Sequence, residues 1–213
     1  MPTKPYKNEA NKRVPSVTTV ISRFKDSGGL IHWAWQCGAD GKDYRTERDA
    51  AADAGTVAHA MVECDIRSTP FDPSPYGEEI LAPASLAFEA YLEWKDQTHL
   101  KPVATEVSMV SERYQCGGTL DTMLVNGKLA LGDWKTSNAV YQDHLIQLAA
   151  YGAFWEEAYP DQPITGGYHL LRFSRGHGDF SHHYYGNLDE ALEAFGLMRQ
   201  LYDLCAGLKK RAA

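Results

Sequence analysis

Residues 117–136 read GGTLDTMLVNGKLALGDWKT. Two apolar, β-favouring runs flank Asn126-Gly127, a dipeptide that marks hairpin turns. The first strand carries Asp121; the second carries Asp133 and Lys135. Strand residues two apart share a face, so Asp133 and Lys135 point the same way. The turn decides whether Asp121 joins them. A two-residue Asn126-Gly127 turn pairs Val125 with Lys128 and puts Asp121 on the opposite face. A three-residue loop with Gly127 left-handed pairs Leu124 with Lys128, sets Asp121 opposite Leu131 and gathers the three charges. Two carboxylates beside an ammonium suit metal-assisted phosphodiester hydrolysis: the acids hold a hard divalent cation through oxygen, and the lysine orients or activates water. That chemistry predicts the bulged loop. Alternating charges on a solvated face fit the same residues, and the hairpin alone does not separate the two readings.

Upstream, AGTVAHAMVE (residues 54–63) lies in a helix-favouring stretch from about 47 to 67. His59 and Glu63 are four apart and stack on one helix face. Imidazole ligates transition metals, although a lone helix histidine is as readily half-buried packing. Gly55 and Thr56 interrupt the helix formers where a close backbone approach is needed. Downstream, in residues 140–160, Leu145, Leu148 and Trp155 fall at helical spacing, and the helix must stop before Pro160. Gln147 and Tyr151 share a face of that helix.

The ordered set GTVAH, GGTLD, GDWKT, QLAAY resembles the PD-(D/E)XK nuclease superfamily, in the branch of RecB-type nuclease domains, CRISPR-associated nucleases, the mitochondrial genome-maintenance exonuclease and phage exonucleases. The opening VPSVTTVISRF followed by Trp33 looks like the start of the stand-alone exonucleases in that branch, and the resemblance covers roughly residues 14–175. It implies an α/β fold: a restriction-endonuclease-like α-β-β-β-α-β core of mixed sheet flanked by helices, with a helical N-terminal part. It also implies that His59, Asp121, Asp133 and the Trp134 carbonyl bind Mg²⁺ or Mn²⁺, and that Lys135 acts in catalysis with Asp121 and Asp133. Gln147 and Tyr151 would lie beside the site and contact it or DNA. Glu63 and Glu106 stand where some relatives place a further acid. The implied activity is metal-dependent DNA exonuclease, with a single-strand or structure-selective endonuclease and a non-catalytic nucleic-acid binder as alternatives. The implied substrate is single-stranded or duplex-end DNA, and a helicase, recombination or replication protein would have to be a separate partner. Some relatives hold an iron–sulfur cluster through one early and three late cysteines. Cys37, Cys64, Cys116 and Cys205 do not match that spacing and read as free thiols, as suits a reducing compartment.

Length and composition set bounds around this reading. At 213 residues the chain reads as one domain, with a helical part at about 14–100, a core at about 101–186 and a last helix at about 187–208. No apolar run approaches the ~20 residues of a membrane span. The polar start MPTKPYKNEANKR lacks a secretory h-region, so a cytoplasmic protein of a bacterium or phage-infected cell is expected. The net charge of −7 runs against a general affinity for nucleic acid, leaving local positive charge to do that work. Lys4, Lys7, Lys12, Arg13, Arg23 and Lys25 concentrate near the start, Lys209, Lys210 and Arg211 near the end, and Arg172 and Arg175 close to the site.

Along the chain, residues 14–45 read as a short strand or turn and then a helix with Ile31, Trp33 and Trp35. A helix at about 81–97 packs through Leu86, Tyr91 and Leu92. Strands follow near 102–110, 113–125, 128–136, 164–173 and 179–185. The last helix opens on an Asn187 cap with Glu190 three residues on, and its apolar side is Leu192, Phe195, Leu201 and Tyr202. Trp33, Trp35 and Trp94 could stack on bases but read as helix–helix core. His177, His182 and His183 read as loop and edge-strand residues.

Overall fold

The computed structural model describes residues 5–137 and 139–211; Lys4 of the N-terminal basic group lies outside them. Among the described residues the elements are α1 (Val17–Ser22), α2 (Gly28–Ala39), α3 (Tyr44–Ile66), α4 (Glu78–Gln97), β1 (Lys101–Ser111), β2 (Cys116–Val125), β3 (Leu129–Lys135), α5 (Gln142–Ala158), β4 (Tyr168–Phe173), β5 (Phe180–Tyr185) and α6 (Asp189–Arg211). The fold is α/β. Five strands form one mixed sheet in the order β1-β2-β3-β4-β5, antiparallel except for the parallel β3–β4 pair that α5 connects. Helices cover both faces. Val57, Ala58, Tyr91 and Trp94 of α3 and α4 pack with Leu124, Trp134, Leu171 and Phe173 on one side. Val17, Val20, Leu148, Phe154 and Phe195 of α1, α5 and α6 pack with Met123, Leu131 and Leu170 on the other. No helix of the described residues is long and apolar enough to cross a membrane.

The hairpin loop is three residues long with Gly127 at φ +69°, but it occupies 126–128 and not 125–127. Val125 pairs with Leu129 and Thr122 with Gly132. Asp121 therefore comes level with Asp133, two residues beyond the expected Leu131. The odd loop length keeps the expected parity while the shifted position moves the register.

β1 departs further from regular alternation. Its register against β2 slips between Pro102 and Ala104, and Glu106 has φ +55°. Ala104 and Val107 pack on the same core cluster, as do Leu120 and Met123 across from them, although strict alternation would separate each pair. The irregularity sits where the two strands carry Glu106 and Asp121.

Other expectations change in detail. Residues 17–22 form a helix and not a strand: Ser16 Oγ accepts the Thr19 N–H at 3.0 Å, which outweighs the β-branched run, and Val17, Val20 and Ile21 are buried. α4 starts at Glu78 and accommodates Pro83. Its packed face is Ala84, Ala87, Ala90, Tyr91 and Trp94, whereas Leu86 and Leu92 face outward. α6 starts one residue later than an Asn187 cap requires and runs to Arg211. Trp94 is core, but Trp35 is 65% exposed, because α2 packs only against one stretch of α3. Leu201 of α6 also points to solvent, opposite Phe195 and Tyr202.

Candidate metal-binding and catalytic site

A cleft of about 450 Å³ opens where α3 crosses the end of β3. Its walls are Ala51, Ala52, Gly55 and His59 of α3, Asp121 of β2, Trp134 to Ser137 at the end of β3, Gln147 of α5, and Arg175 after β4. Gly55 permits the crossing: a Cβ there would lie 2.8 Å from Thr136 Oγ1. Arg175 fastens it, its guanidinium donating to the Ala51 carbonyl.

His59 and Asp121 line the cleft, and Glu106 lines an adjoining hollow that shares Gly55 and His59 with it. Donor atoms of His59, Glu106 and Asp121 all lie within 4.8 Å of one another, with His59 Nδ1 4.0 Å from Asp121 Oδ2. The imidazole keeps 30% of its surface open on the cleft side. Desolvation, and then the Lys135 charge, lower its pKa to about 4, so it is neutral at physiological pH with a free lone pair. The Trp134 carbonyl faces the imidazole, where it favours the protonated ring. Asp121 Oδ2 accepts the Trp134 N–H at 2.8 Å, which fixes the carboxylate. Burial raises the Asp121 pKa, against the pull of Lys135 and of that hydrogen bond. Burial likewise pushes Glu106 up to about 7, reinforced by Asp121 and Glu63 and opposed by Arg67.

Asp133 is placed differently from the expectation. It has no exposed side-chain surface, and Lys135 Nζ lies 2.6 Å from its Oδ2. Neither oxygen has an aligned hydrogen-bond partner, so the contact is a close approach of charges at an oblique angle. It stands outside the His59–Glu106–Asp121 trio, next to Asp121. Burial raises the Asp133 pKa to about 6, only partly offset by Lys135. Burial alone would lower the Lys135 pKa, but Asp133 and Asp121 outweigh it and raise it, so Lys135 is an ammonium.

Gln147 and Tyr151 act on this ammonium and not on the trio. Lys135 Nζ donates to Gln147 Oε1 at 3.1 Å, and Gln147 Nε2 donates to the Tyr151 hydroxyl at 2.9 Å. Tyr151 is buried beneath, its ring lying over Gly118, where a Cβ would collide with it. Glu63 is paired with Arg67, 2.8 Å from it one helical turn on, and lines the hollow shared by His59 and Glu106.

Glu106, which the resemblance marks only as a further acid, stands in the donor trio. The structure also brings up a residue that the sequence did not single out for the site. His144, on α5 and almost buried, has its pKa lowered to about 4 by desolvation and then by Lys135. No spacing in the sequence marks it. Of the N-terminal basic residues, Lys25 is engaged by Asp143 at 2.7 Å. His182 of β5 turns to packing: a ring nitrogen lies 2.8 Å from one of His169 on β4, and Trp94 Nε1 donates to His182 at 3.3 Å.

No protein-family model matches the chain, and no curated protein is significantly similar to it. The site therefore stands on its own geometry.

Proposed function

We propose that the chain is a divalent-metal-dependent deoxyribonuclease of the PD-(D/E)XK kind, working from DNA ends as an exonuclease. The observation that carries this reading is the convergence of one imidazole and two carboxylates within 4.8 Å, with the imidazole and the Asp121 carboxylate lining the same cleft as the Lys135 ammonium. An oxygen-rich set with one nitrogen donor suits Mn²⁺ or Mg²⁺, with the nitrogen favouring Mn²⁺. His59 is already neutral and Asp121 is already oriented by a backbone N–H, so the imidazole fits such an ion without losing a proton and the carboxylate without turning. When bound, the cation would offset charge on a phosphodiester and lower the pKa of a coordinated water.

The chain's own groups supply the rest. Asp133 and Gln147 hold the Lys135 ammonium at the cleft wall, where it can donate to a phosphate oxygen or orient the attacking water. Arg175 and Lys135 are the cationic side chains among the described residues lining the cleft. They give local positive charge in a protein whose net charge is −7. Such an activity serves DNA recombination, repair or degradation in the cytoplasm, with unwinding left to a separate recombination or replication partner.

The test is incubation with Mn²⁺ or Mg²⁺ and linear, end-blocked and circular DNA, single- and double-stranded. Nucleotide release from free ends, absent from circles and abolished by a chelator and by Lys135→Ala, is the expected result. Cleavage of circles replaces the exonuclease with an endonuclease. DNA binding without product in either metal overturns the catalytic reading.

A further inference from the structure

α6 carries four leucines open to solvent. Leu197, Leu201, Leu204 and Leu208 are 61%, 46%, 64% and 62% exposed. They succeed one another at steps of four, three and four residues, the period of an apolar seam between paired helices. The opposite side of α6 is already used: Phe195 is buried there, with Ala191, Ala194, Met198 and Tyr202 packed around it. One exposed leucine is ordinary; four in line on a helix face are not.

The charges on α6 indicate what covers the seam. Asp189, Glu190 and Glu193 lie toward its start, and Lys209, Lys210 and Arg211 form its last turn. Two such helices side by side in parallel would set acid against acid and base against base. Antiparallel, the acidic start of one lies over the basic end of the other, and their macrodipoles oppose favourably. When Leu197 is set against Leu208 of a second copy, Leu201 meets Leu204 and Arg211 falls one residue, about 1.5 Å, from level with Glu193. Each contact then occurs twice about a twofold axis, as a self-complementary patch requires.

We propose that α6 is a self-association surface through which two copies of this chain form an antiparallel, twofold dimer, sealed by the four leucines and bracketed by Glu193–Arg211 pairs. The inference is independent of the nuclease reading. The seam runs about 16 Å along the helix. Each copy contributes on the order of 400 Å² of leucine surface, and the polar rim brings the total to roughly 1,000 Å², the lower bound for a specific interface. The dimer is accordingly weak, with Kd on the order of 10 μM.

Sedimentation equilibrium of the full chain over about 1–200 μM reads the outcome. The wild type is expected to pass from monomer to dimer. Leu201→Glu with Leu204→Glu is expected to stay monomeric with an unchanged circular dichroism spectrum. Glu193→Arg and Arg211→Glu each weaken the dimer several-fold, and the two together restore it to within about threefold of wild type. A wild type monomeric throughout, a trimer, or a double reversal no tighter than either single change overturns the proposal. The double reversal keeps the test valid if the leucine variant misfolds.

Discussion

The ammonium nitrogen of Lys135 lies 2.6 Å from a carboxylate oxygen of Asp133, whose side chain has no solvent exposure. Removing one partner from such a pair leaves a charge stranded in the interior. Lys135→Ala is therefore expected to destabilise the protein by about 3 kcal/mol at pH 8. The loss is smaller at pH 5, because the Asp133 pKa is already raised to about 6 and the carboxyl can take a proton. Adding Asp133→Asn should recover most of the stability and none of the proposed nuclease activity. Thermal melts at the two pH values check this, and a Lys135→Ala variant as stable as wild type at pH 8 contradicts it.

Glu106 must be ionised to serve as a ligand, yet its surroundings raise its pKa to about 7. Mn²⁺ binding is thus expected to release a proton near pH 6.5 and to tighten as pH rises from about 6 to 8. Glu106→Gln should weaken binding at least tenfold and flatten that profile, as titration calorimetry in buffers of different ionisation enthalpy would show. In the metal-free protein the sign for stability is the reverse: the folded chain holds this proton more tightly than the unfolded one. The Glu106 contribution is present at low pH and is lost as pH rises through about 7.

Gln147 joins Lys135 to Tyr151 without touching the donor trio. Gln147→Ala is expected to lower turnover about tenfold, the order of one lost hydrogen bond to a charged group, with Mn²⁺ affinity unchanged. A parallel fall in metal affinity would show that the residue supports the trio itself.

The His169–His182 contact gives a stability effect away from the cleft. Desolvation, followed by the neighbouring imidazole, lowers the His169 pKa from 6.5 to about 4. The unfolded chain protonates first, so this contribution is complete above pH 6.5 and is lost as pH falls toward 4. Its size is on the order of 2 kcal/mol. His169→Asn is expected to flatten denaturation midpoints across that window; an unchanged slope would exclude the pair as its source.

How far the site is legible in the sequence varies by residue. His59, Asp121 and Lys135 are marked as site residues by the resemblance, while helical and strand periodicity only place them on shared faces. Gly55 is legible locally: a glycine among helix formers signals a close approach, here to Thr136. Asp133 is identifiable as a site residue, but its enclosure by Lys135 depends on the packing of α5 above it. Arg175 is legible only as one of two arginines following a strand close to the site, and His144 is invisible as a site member, since nothing local distinguishes it from an ordinary helix histidine.

The sequence by itself determined the order of helices and strands along 101–185 and the charged side chains available to the cleft, which follow from backbone preference and apolar spacing within one segment. The three-residue hairpin loop is expected from the chemistry of gathering the charges, where Asn126-Gly127 alone favours a two-residue turn. Only the tertiary structure decided which acids stand together. The pairing of β1 with β2 and the positive φ at Glu106 bring that carboxylate to His59 and Asp121, while burial closes Asp133 onto Lys135. The deciding quantities, interstrand register and desolvation, arise between segments distant in the chain.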